Sequence, residues 1–178
     1  MRAKDQPFVI AISGVSGGGK TTVTKHLIQK LHHSQALYFD DYDFDGPEDI
    51  ITWVEKGSDY NLWDLTPLIK DLKVLCNEQL GYIVLDFPFA YKHFKMSKYI
   101  DLAIYIDTPL DIALARRLIR DFKRAYVIDI LSEMEHYIFQ GRKGYVEMIN
   151  TIKPNSDIII DGAQPVSEIV NHICEQLK

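Results

Sequence analysis

The stretch Gly14-Val15-Ser16-Gly17-Gly18-Gly19-Lys20-Thr21 decides how this chain folds. It follows an apolar run over residues 8–12, typical of a strand buried on both faces, and it precedes a segment with helical periodicity. The glycines let the backbone turn and aim successive N–H groups inward, and the following helix adds its positive N-terminal end. This succession of strand, glycine-rich turn and helix predicts a phosphate-binding loop.

The residues that end the motif indicate the ligand. Lys20 can place its ammonium group on the β- and γ-phosphates of a nucleoside triphosphate, and Thr21 offers a hydroxyl to Mg²⁺. We therefore expect ATP and Mg²⁺ as cofactors. The predicted triphosphate ligands are Gly14, Ser16, Gly17, Gly18, Gly19, Lys20, Thr21 and Thr22.

Short β-rich runs alternate with helical stretches along the 178 residues. Strands are expected at 8–12, 36–39, 82–85, 102–106 and 157–160. Helices are expected at 20–31, 66–80, 109–124 and 127–149, the last with interruptions near Gly141 and Gly144, and from Pro165 onward. This alternation predicts a parallel sheet with helices on both faces. The expected α/β fold is a single three-layer P-loop NTPase domain, residues 1–178, with a five-stranded parallel sheet and a short helical lid.

The composition and charge of the chain limit the kinds of partner that we expect. The net charge of −5 argues against a protein that coats nucleic acid or lies on anionic lipid. The first apolar run is too short for a signal peptide or a membrane span, so we expect a cytoplasmic protein. A small-molecule acceptor is the expected partner. The sequence leaves open whether the chain is a monomer or a homo-oligomer.

Acidic residues directly after strands are candidates for the chemistry, because ligands of parallel sheets bind at the carboxyl ends of the strands. Asp40 follows the second strand and is suited to accept a hydroxyl proton or to orient Mg²⁺. Asp41 is the alternative base. Asp86 closes the third strand and is suited to the Mg²⁺ shell, with a cap of the following turn as the alternative.

A basic helix supplies candidate phosphate ligands: Arg116, Arg117, Arg120, Lys123 and Arg124. The first, third and fifth of these are spaced four apart and would share one helix face. Such a run is ordinarily a solvated face. In an acidic chain with a nucleotide site, it is also suited to clamp phosphoryl oxygens. Residues 116–130 would then act as a lid that excludes water.

These residues resemble the uridine kinase and phosphoribulokinase family of P-loop kinases. The stretch from Ile12 to Thr22 resembles the family's P-loop, and Asp40-Asp41-Tyr42 resembles the element that supplies the catalytic base. Two acids in that element make it similar to nicotinamide riboside kinases. Leu62-Trp63-Asp64 resembles the segment whose aspartate binds sugar hydroxyls, although Asp64 also suits a plain helix cap. The resemblance implies acceptor-binding roles for Asp64, Asp41 and Tyr42.

The lid segment also resembles this family, but the chain differs from the family in three places. Arg116-Arg117-Leu118-Ile119-Arg120-Asp121 is similar to the run that opens the family's lid, which implies that Arg117 and Arg120 contact phosphate. Uridine kinases recognise the base with a β-hairpin between the sugar-binding aspartate and the third strand. Here one predicted helix fills that interval. The family's R-G-R at the lid tip is absent, and Asp86 replaces a glutamate.

The sequence therefore favours an ATP-dependent kinase that phosphorylates a hydroxyl of a nucleoside or related sugar-like acceptor. The expected catalytic residues are Asp40, Lys20, Arg117 and Arg120, and the expected metal ligands are Thr21, Asp86 and Asp40. Six aromatic residues are suited to line the acceptor pocket, although each is ordinarily a core residue: Tyr42, Phe44, Trp63, Phe87, Phe89 and Tyr91. The alternative is an ATP-binding regulator or degenerate kinase without turnover.

Overall fold

The computed structural model describes residues 6–177. Five strands form one sheet in the order β2-β3-β1-β4-β5, and every neighbouring pair runs parallel. They are β1 Phe8–Ser13, β2 Ser34–Tyr38, β3 Tyr82–Asp86, β4 Leu102–Asp107 and β5 Ile158–Asp161. Because the strands are parallel, all their carboxyl ends lie at one edge of the sheet. The expected α/β fold with a five-stranded parallel sheet is confirmed.

Eight α-helices connect and cover the strands in the described part of the chain. They are α1 Lys20–Lys30, α2 Ile50–Glu55, α3 Thr66–Leu75, α4 Phe94–Ser97, α5 Leu110–Asp121, α6 Val127–His136, α7 Arg142–Thr151 and α8 Val166–Gln176. A π-helical turn, Tyr137–Gly141, joins α6 to α7. None of the helices within residues 6–177 has the length and apolar character needed to cross a bilayer.

Alternation along the strands divides the apolar interior between the two faces of the sheet. In β1, Val9 and Ala11 belong to one buried cluster, whereas Ile10 and Ile12 belong to the other. Residues of α3 and several aromatic side chains fill the first cluster, and residues of α1 and α8 fill the second. A strand buried on both faces needs an unbroken apolar run, which explains residues 8–12.

Helix boundaries differ from expectation in two places. The helix expected at 66–80 ends at Leu75, because the next backbone N–H groups make tight turns and Asn77 Nδ2 donates to the Lys73 carbonyl. The basic helix ends at Asp121 and not near residue 124. The next helix, α6, begins only at Val127, where Tyr126 has extended backbone and its N–H donates to Asp129 Oδ2.

The helix expected at 127–149 is two helices, and its interruption is the π-helical turn. Gly141 ends that turn, as expected, but Gly144 lies inside α7. Its lack of a side chain serves packing, since a Cβ there would lie 2.9 Å from Ile50 Cγ2 of α2. The short helices α2 and α4 were not predicted, because segments of six and four residues carry little periodicity.

Candidate active site

The glycine-rich loop between β1 and α1 forms an open nest at the carboxyl edge of the sheet. Gly14, Gly17 and Gly19 have φ angles of +145°, +77° and +99°, which L side chains rarely adopt. The loop also packs closely on α5, because a Cβ at Gly17 would lie 2.1 Å from the Ala113 carbonyl oxygen. The buried Thr108 hydroxyl donates to the Gly18 carbonyl at 2.8 Å. These contacts hold the nest in shape.

Lys20 stands at the start of α1 with its ammonium group beside the loop. Its Nζ donates to the Val15 carbonyl at 3.3 Å, a long hydrogen bond for a charged donor. Burial lowers the pKa of Lys20, and the nearby carboxylates of Asp86 and Asp40 oppose that shift. A triphosphate would add negative charge beside this ammonium group and would oppose the same shift.

Thr21 and Asp86 meet behind the lysine. Thr21 Oγ1 donates to Asp86 Oδ2 at 2.6 Å, and Asp86 is 4% exposed at the end of β3. Burial raises the pKa of Asp86, while Lys20 and the Thr21 hydroxyl oppose the shift. A hydroxyl and a carboxylate are the hard oxygen donors that Mg²⁺ takes when phosphates and water complete its shell. Residues 6–177 contain no cluster of three or more His, Cys, Asp or Glu that could hold a metal without such phosphates.

Asp40 faces the same space from the turn that follows β2. This turn spans Phe39–Asp41, and its two carboxylates are exposed. Asp40 shares a cavity of about 600 Å³ with the loop and the first turn of α1; we call it the phosphate cavity. Its lining residues are Ser16, Gly17, Gly19, Lys20, Thr21, Thr22, Lys25, Asp40, Arg116 and Arg120.

The arginines of α5 divide into two groups. Arg120 lines the phosphate cavity and makes two hydrogen bonds to Asp121, of 2.6 and 2.9 Å. Arg116, another of the candidate phosphate ligands, also lines the cavity. Arg117 does not line it. Its Nη2 lies 2.6 Å from Glu133 Oε1 of α6, and the two side chains are only 15% and 19% exposed.

A smaller apolar notch of about 250 Å³ adjoins the loop on the side of α8. Gly18, Thr22 and Val23 form one wall, and Val166 and Ile169 form part of the other. Arg116 Nη1 donates to the Gly162 carbonyl at 3.0 Å and so connects the notch with the phosphate cavity. Sequence reasoning missed this notch, since its walls come from segments about 140 residues apart.

The expected acceptor residues take other contacts in this structure. Asp64 Oδ1 accepts hydrogen bonds from Thr66 N and Oγ1 at the start of α3, although the N-cap residue of that helix is Leu65. Those bonds lower the pKa of Asp64. The Tyr42 hydroxyl donates to Asp71 at 2.8 Å, and its ring stacks on Phe44. Asp41 is exposed beside Asp40.

A second cavity of about 350 Å³ lies between α2 and α7; we call it the aromatic pocket. Two of the six expected aromatic residues, Trp63 and Phe89, line it. Phe87 is instead fully buried in the core, and the Tyr91 hydroxyl donates to Asp157. The full lining is Glu48, Asp49, Ile50, Trp53, Tyr60, Trp63, Phe89, His136, Gln140, Gly141, Gly144, Tyr145 and Met148. Trp53 and Tyr60, which precede Trp63 in the sequence, were a visible signal that sequence reasoning did not use.

Comparison with known proteins shows that this chain is similar to kinases. A model of the phosphoribulokinase / uridine kinase family matches residues 60–168. A uridine kinase from Anoxybacillus flavithermus is 28% identical, covering 88% of this chain and 87% of that protein. A uridine kinase from Borreliella burgdorferi is 29% identical and covers 85% of each chain.

Solved structures share the fold. A possible uridine kinase from Bacillus stearothermophilus gives a TM-score of 0.57 at 16% identity, covering 90% of this chain and 91% of that one. A deoxyadenosine kinase from M. mycoides gives a TM-score of 0.55 at 18% identity, covering 96% and 98%. The matched region of the family model includes Asp64, Asp86 and the arginine helix, and it begins after the glycine-rich loop.

Proposed function

This chain belongs to the phosphoribulokinase / uridine kinase family, and from that premise we propose that it transfers the γ-phosphoryl group of ATP to a hydroxyl of a nucleoside or related sugar-like acceptor. The observation that carries the proposal is the convergence in the phosphate cavity. Lys20, Thr21, Asp40 and Arg120, from three separate elements, line this one space. It combines positive charge for a triphosphate with a carboxylate for an acceptor hydroxyl.

The proposed reaction is a single in-line displacement. The acceptor hydroxyl oxygen forms a bond to the γ-phosphorus as the bond from that phosphorus to the ADP oxygen breaks. The hydroxyl proton passes to the Asp40 carboxylate, which is exposed and within the cavity. Asp41, Tyr42 and Asp64 are the proposed contacts of the acceptor, and Asp41 is the alternative base.

The cationic side chains bind and neutralise the transferring group. Lys20 meets the β- and γ-phosphates, and Arg120 faces them across the cavity. Arg116 joins this set because it lines both the phosphate cavity and the apolar notch, which is suited to the adenine ring. Arg117 is proposed to reach phosphate only after it leaves Glu133. Residues 116–130 would then close as the lid that excludes water.

Mg²⁺ fits the oxygen pair formed by Thr21 and Asp86, with Asp40 as a further ligand through water. Thr21 and Asp86 would hold the ion, which would supply positive charge against the negative charge of the phosphates. The chain's own part is to hold the Thr21 hydroxyl and the Asp86 carboxylate 2.6 Å apart at the strand end. A cytoplasmic location, where ATP is supplied, fits this function.

A coupled assay of ADP formation over a panel of nucleosides and sugars tests the proposal. We expect ADP release that depends on the acceptor, and its loss in Lys20→Ala, which removes the ammonium group from the cavity. Tight ATP binding without any acceptor-dependent ADP release would support instead the regulator or degenerate kinase. An unaffected Lys20→Ala enzyme would contradict the phosphate cradle.

A further inference from the structure

The aromatic pocket is a formed cavity on the acceptor side of the sheet edge. Its volume of about 350 Å³ lies at the lower end of the range for small-molecule sites. Trp53, Tyr60, Trp63 and Phe89 form one continuous wall. Trp53 meets Trp63 edge-on at 5.1 Å between ring centroids, and Trp63 lies 4.8 Å from Phe89. Such a wall is suited to contact a flat ring.

Hydrogen bonds fix the rings of this wall in place. Trp53 Nε1 donates to the Asp59 carbonyl at 3.0 Å, and the Tyr60 hydroxyl lies 2.7 Å from Thr151 Oγ1. The buried His93 contacts the Trp63 carbonyl through Nε2 at 3.1 Å. Because these polar groups bond within the protein, the rings can present apolar surface to a ligand with little loss of conformational entropy on binding.

The opposite wall comes from the π-helical turn and α7. Close packing of Gly144 on Ile50 brings α7 against α2 and sets the width of the pocket. The π-helical turn places Gln140 and Gly141 at the lining, with His136 from the end of α6. Gln140 is exposed and offers both a donor and an acceptor for the edge of a heterocycle.

The charges at the pocket have one sign. Glu48 and Asp49 line it, and among the described residues neither lysine nor arginine does. Hydrogen bonds from the side chain and the backbone N–H of Thr52 lower the pKa of the Asp49 carboxyl, and the backbone bond is 2.7 Å long. An acceptor with a carboxylate or phosphate on its ring would meet like charge at a lining whose described residues include no lysine or arginine. A neutral or cationic ring would not.

The pocket also adjoins the phosphate side of the protein. Tyr145 lines the pocket, and the Arg117 guanidinium carbon lies 6.0 Å from the centroid of its ring. Arg120, which lines the phosphate cavity, interacts electrostatically with both Tyr145 and Asp40. The two cavities share no described lining residue, so the acceptor would have to extend from the aromatic wall past α5 to reach the Asp40 carboxylate.

We propose that the aromatic pocket binds the ring of the acceptor, and that Glu48 and Asp49 select neutral or cationic heterocycles over anionic ones. The acceptor ring would thus be contacted by three elements of this chain: α2, the turn at Tyr60–Leu62 and the π-helical turn. The proposal rests on the proposed function for the position of the acceptor hydroxyl. Ring binding itself needs no turnover and is tested separately.

Tryptophan fluorescence tests it directly, because the chain has two tryptophans and both line the pocket. We expect uridine and nicotinamide riboside, titrated in the presence of Mg²⁺ and a non-hydrolysable ATP analogue, to change this fluorescence saturably. Orotidine and nicotinate riboside are matched probes that add or substitute a carboxylate. They should bind at least about tenfold more weakly, a difference of about 1.4 kcal/mol. Equal affinities within each pair would overturn the charge selection.

Two variants test separately the effect of the negative charge of Glu48. Glu48→Gln should raise the affinity for orotidine several-fold with little change for uridine, whereas Glu55→Gln, an exposed glutamate of α2 outside the lining, should change neither. If a nucleoside is phosphorylated but does not change the fluorescence of either tryptophan, the proposal that the aromatic pocket binds the ring is contradicted, whereas the proposed kinase activity stands. A saturable fluorescence change without acceptor-dependent ADP release would support the pocket and contradict the proposed function.

Discussion

Asp86 and Asp40 sit at the ends of neighbouring strands in opposite surroundings. Asp86 is 4% exposed and hydrogen-bonded to Thr21, whereas Asp40 is exposed on a turn that opens into the phosphate cavity. A buried carboxylate with a fixed partner suits a metal shell. An exposed one that can meet an incoming hydroxyl suits a base. Their environments therefore separate two roles that residue type cannot.

The role of Asp40 is open to a matched pair of substitutions. Asp40→Asn should lower kcat by at least about a hundredfold with ATP affinity retained, because the amide cannot accept the hydroxyl proton. Asp41→Asn, one residue along the same turn, should have a much smaller effect. Single-turnover kinetics and ATP titrations measure both quantities. If the large loss follows Asp41→Asn instead, Asp41 is the base.

The buried Asp86 gives a pH-dependent stability with a defined sign. Burial raises its folded-state pKa above the 3.8 of the unfolded chain, so the folded state holds more protons between those two values. The free energy of unfolding should therefore fall as pH rises through that window. For each unit by which the pKa of Asp86 is higher in the folded chain than in the unfolded chain, the free energy of unfolding falls by about 1.4 kcal/mol in total.

Asp86→Asn removes this titration. In ligand-free protein, the melting temperature of the variant relative to wild type should rise as pH increases from about 4 towards 7. Thermal melts at several pH values measure that difference. A constant or falling difference would mean that Lys20 and Thr21 fully compensate the buried charge.

The glycine-rich loop depends on close approach to α5 as well as on its backbone angles. Gly17 and Gly57 both have positive φ, but a Cβ at Gly17 would lie 2.1 Å from the Ala113 carbonyl, and one at Gly57 would meet nothing within 4 Å. Gly17→Ala should abolish measurable ATP binding. Gly57→Ala should add backbone strain of about 1–2 kcal/mol and leave ATP binding intact. Calorimetric titration with ATP and chemical unfolding compare the two; equal ATP affinities would contradict the crowding argument.

The ion pair between Arg117 of α5 and Glu133 of α6 would restrain the proposed lid, residues 116–130. If Arg117 must leave Glu133 to reach phosphate, Glu133→Gln should raise kcat/KM for ATP a few-fold, and Arg117→Gln should lower it about tenfold or more. Arg124→Gln, beyond the end of α5 and outside the phosphate cavity, is the control. A loss in Glu133→Gln as large as that in Arg117→Gln would instead make the pair a fixed support of the active state.

Local signals predicted the strands and the loop, because each is encoded in consecutive residues. The apolar run at 8–12 and the glycine spacing from Gly14 to Gly19 are complete within one segment. Helix ends were harder, since α3 stops where Asn77 bonds to Lys73, and α6 starts where Tyr126 N bonds to Asp129. Those bonds depend on side-chain geometry that periodicity does not describe.

The assembled chain adds what no single segment contains. The parallel sheet brings Asp40, Asp86 and the glycine-rich loop to one edge, as expected from the rule that ligands of parallel sheets bind at the carboxyl ends of the strands. The aromatic pocket did not follow. Its walls combine residues 48–63, Phe89 and residues 136–148, which meet only because α2 packs on α7 at Gly144. The aromatic residues at 53–63 are visible in the sequence, but their packing opposite residues 136–148 is not.

The most direct test of hydroxyl phosphorylation follows the phosphorus atoms themselves. With Mg²⁺, ATP and a nucleoside that binds the aromatic pocket, ³¹P NMR should show ADP and a new phosphomonoester of the acceptor appearing in equal amounts. Neither should form with Lys20→Ala. ATP that persists unchanged beside every acceptor, or that yields only inorganic phosphate at a rate independent of the acceptor, would contradict the account.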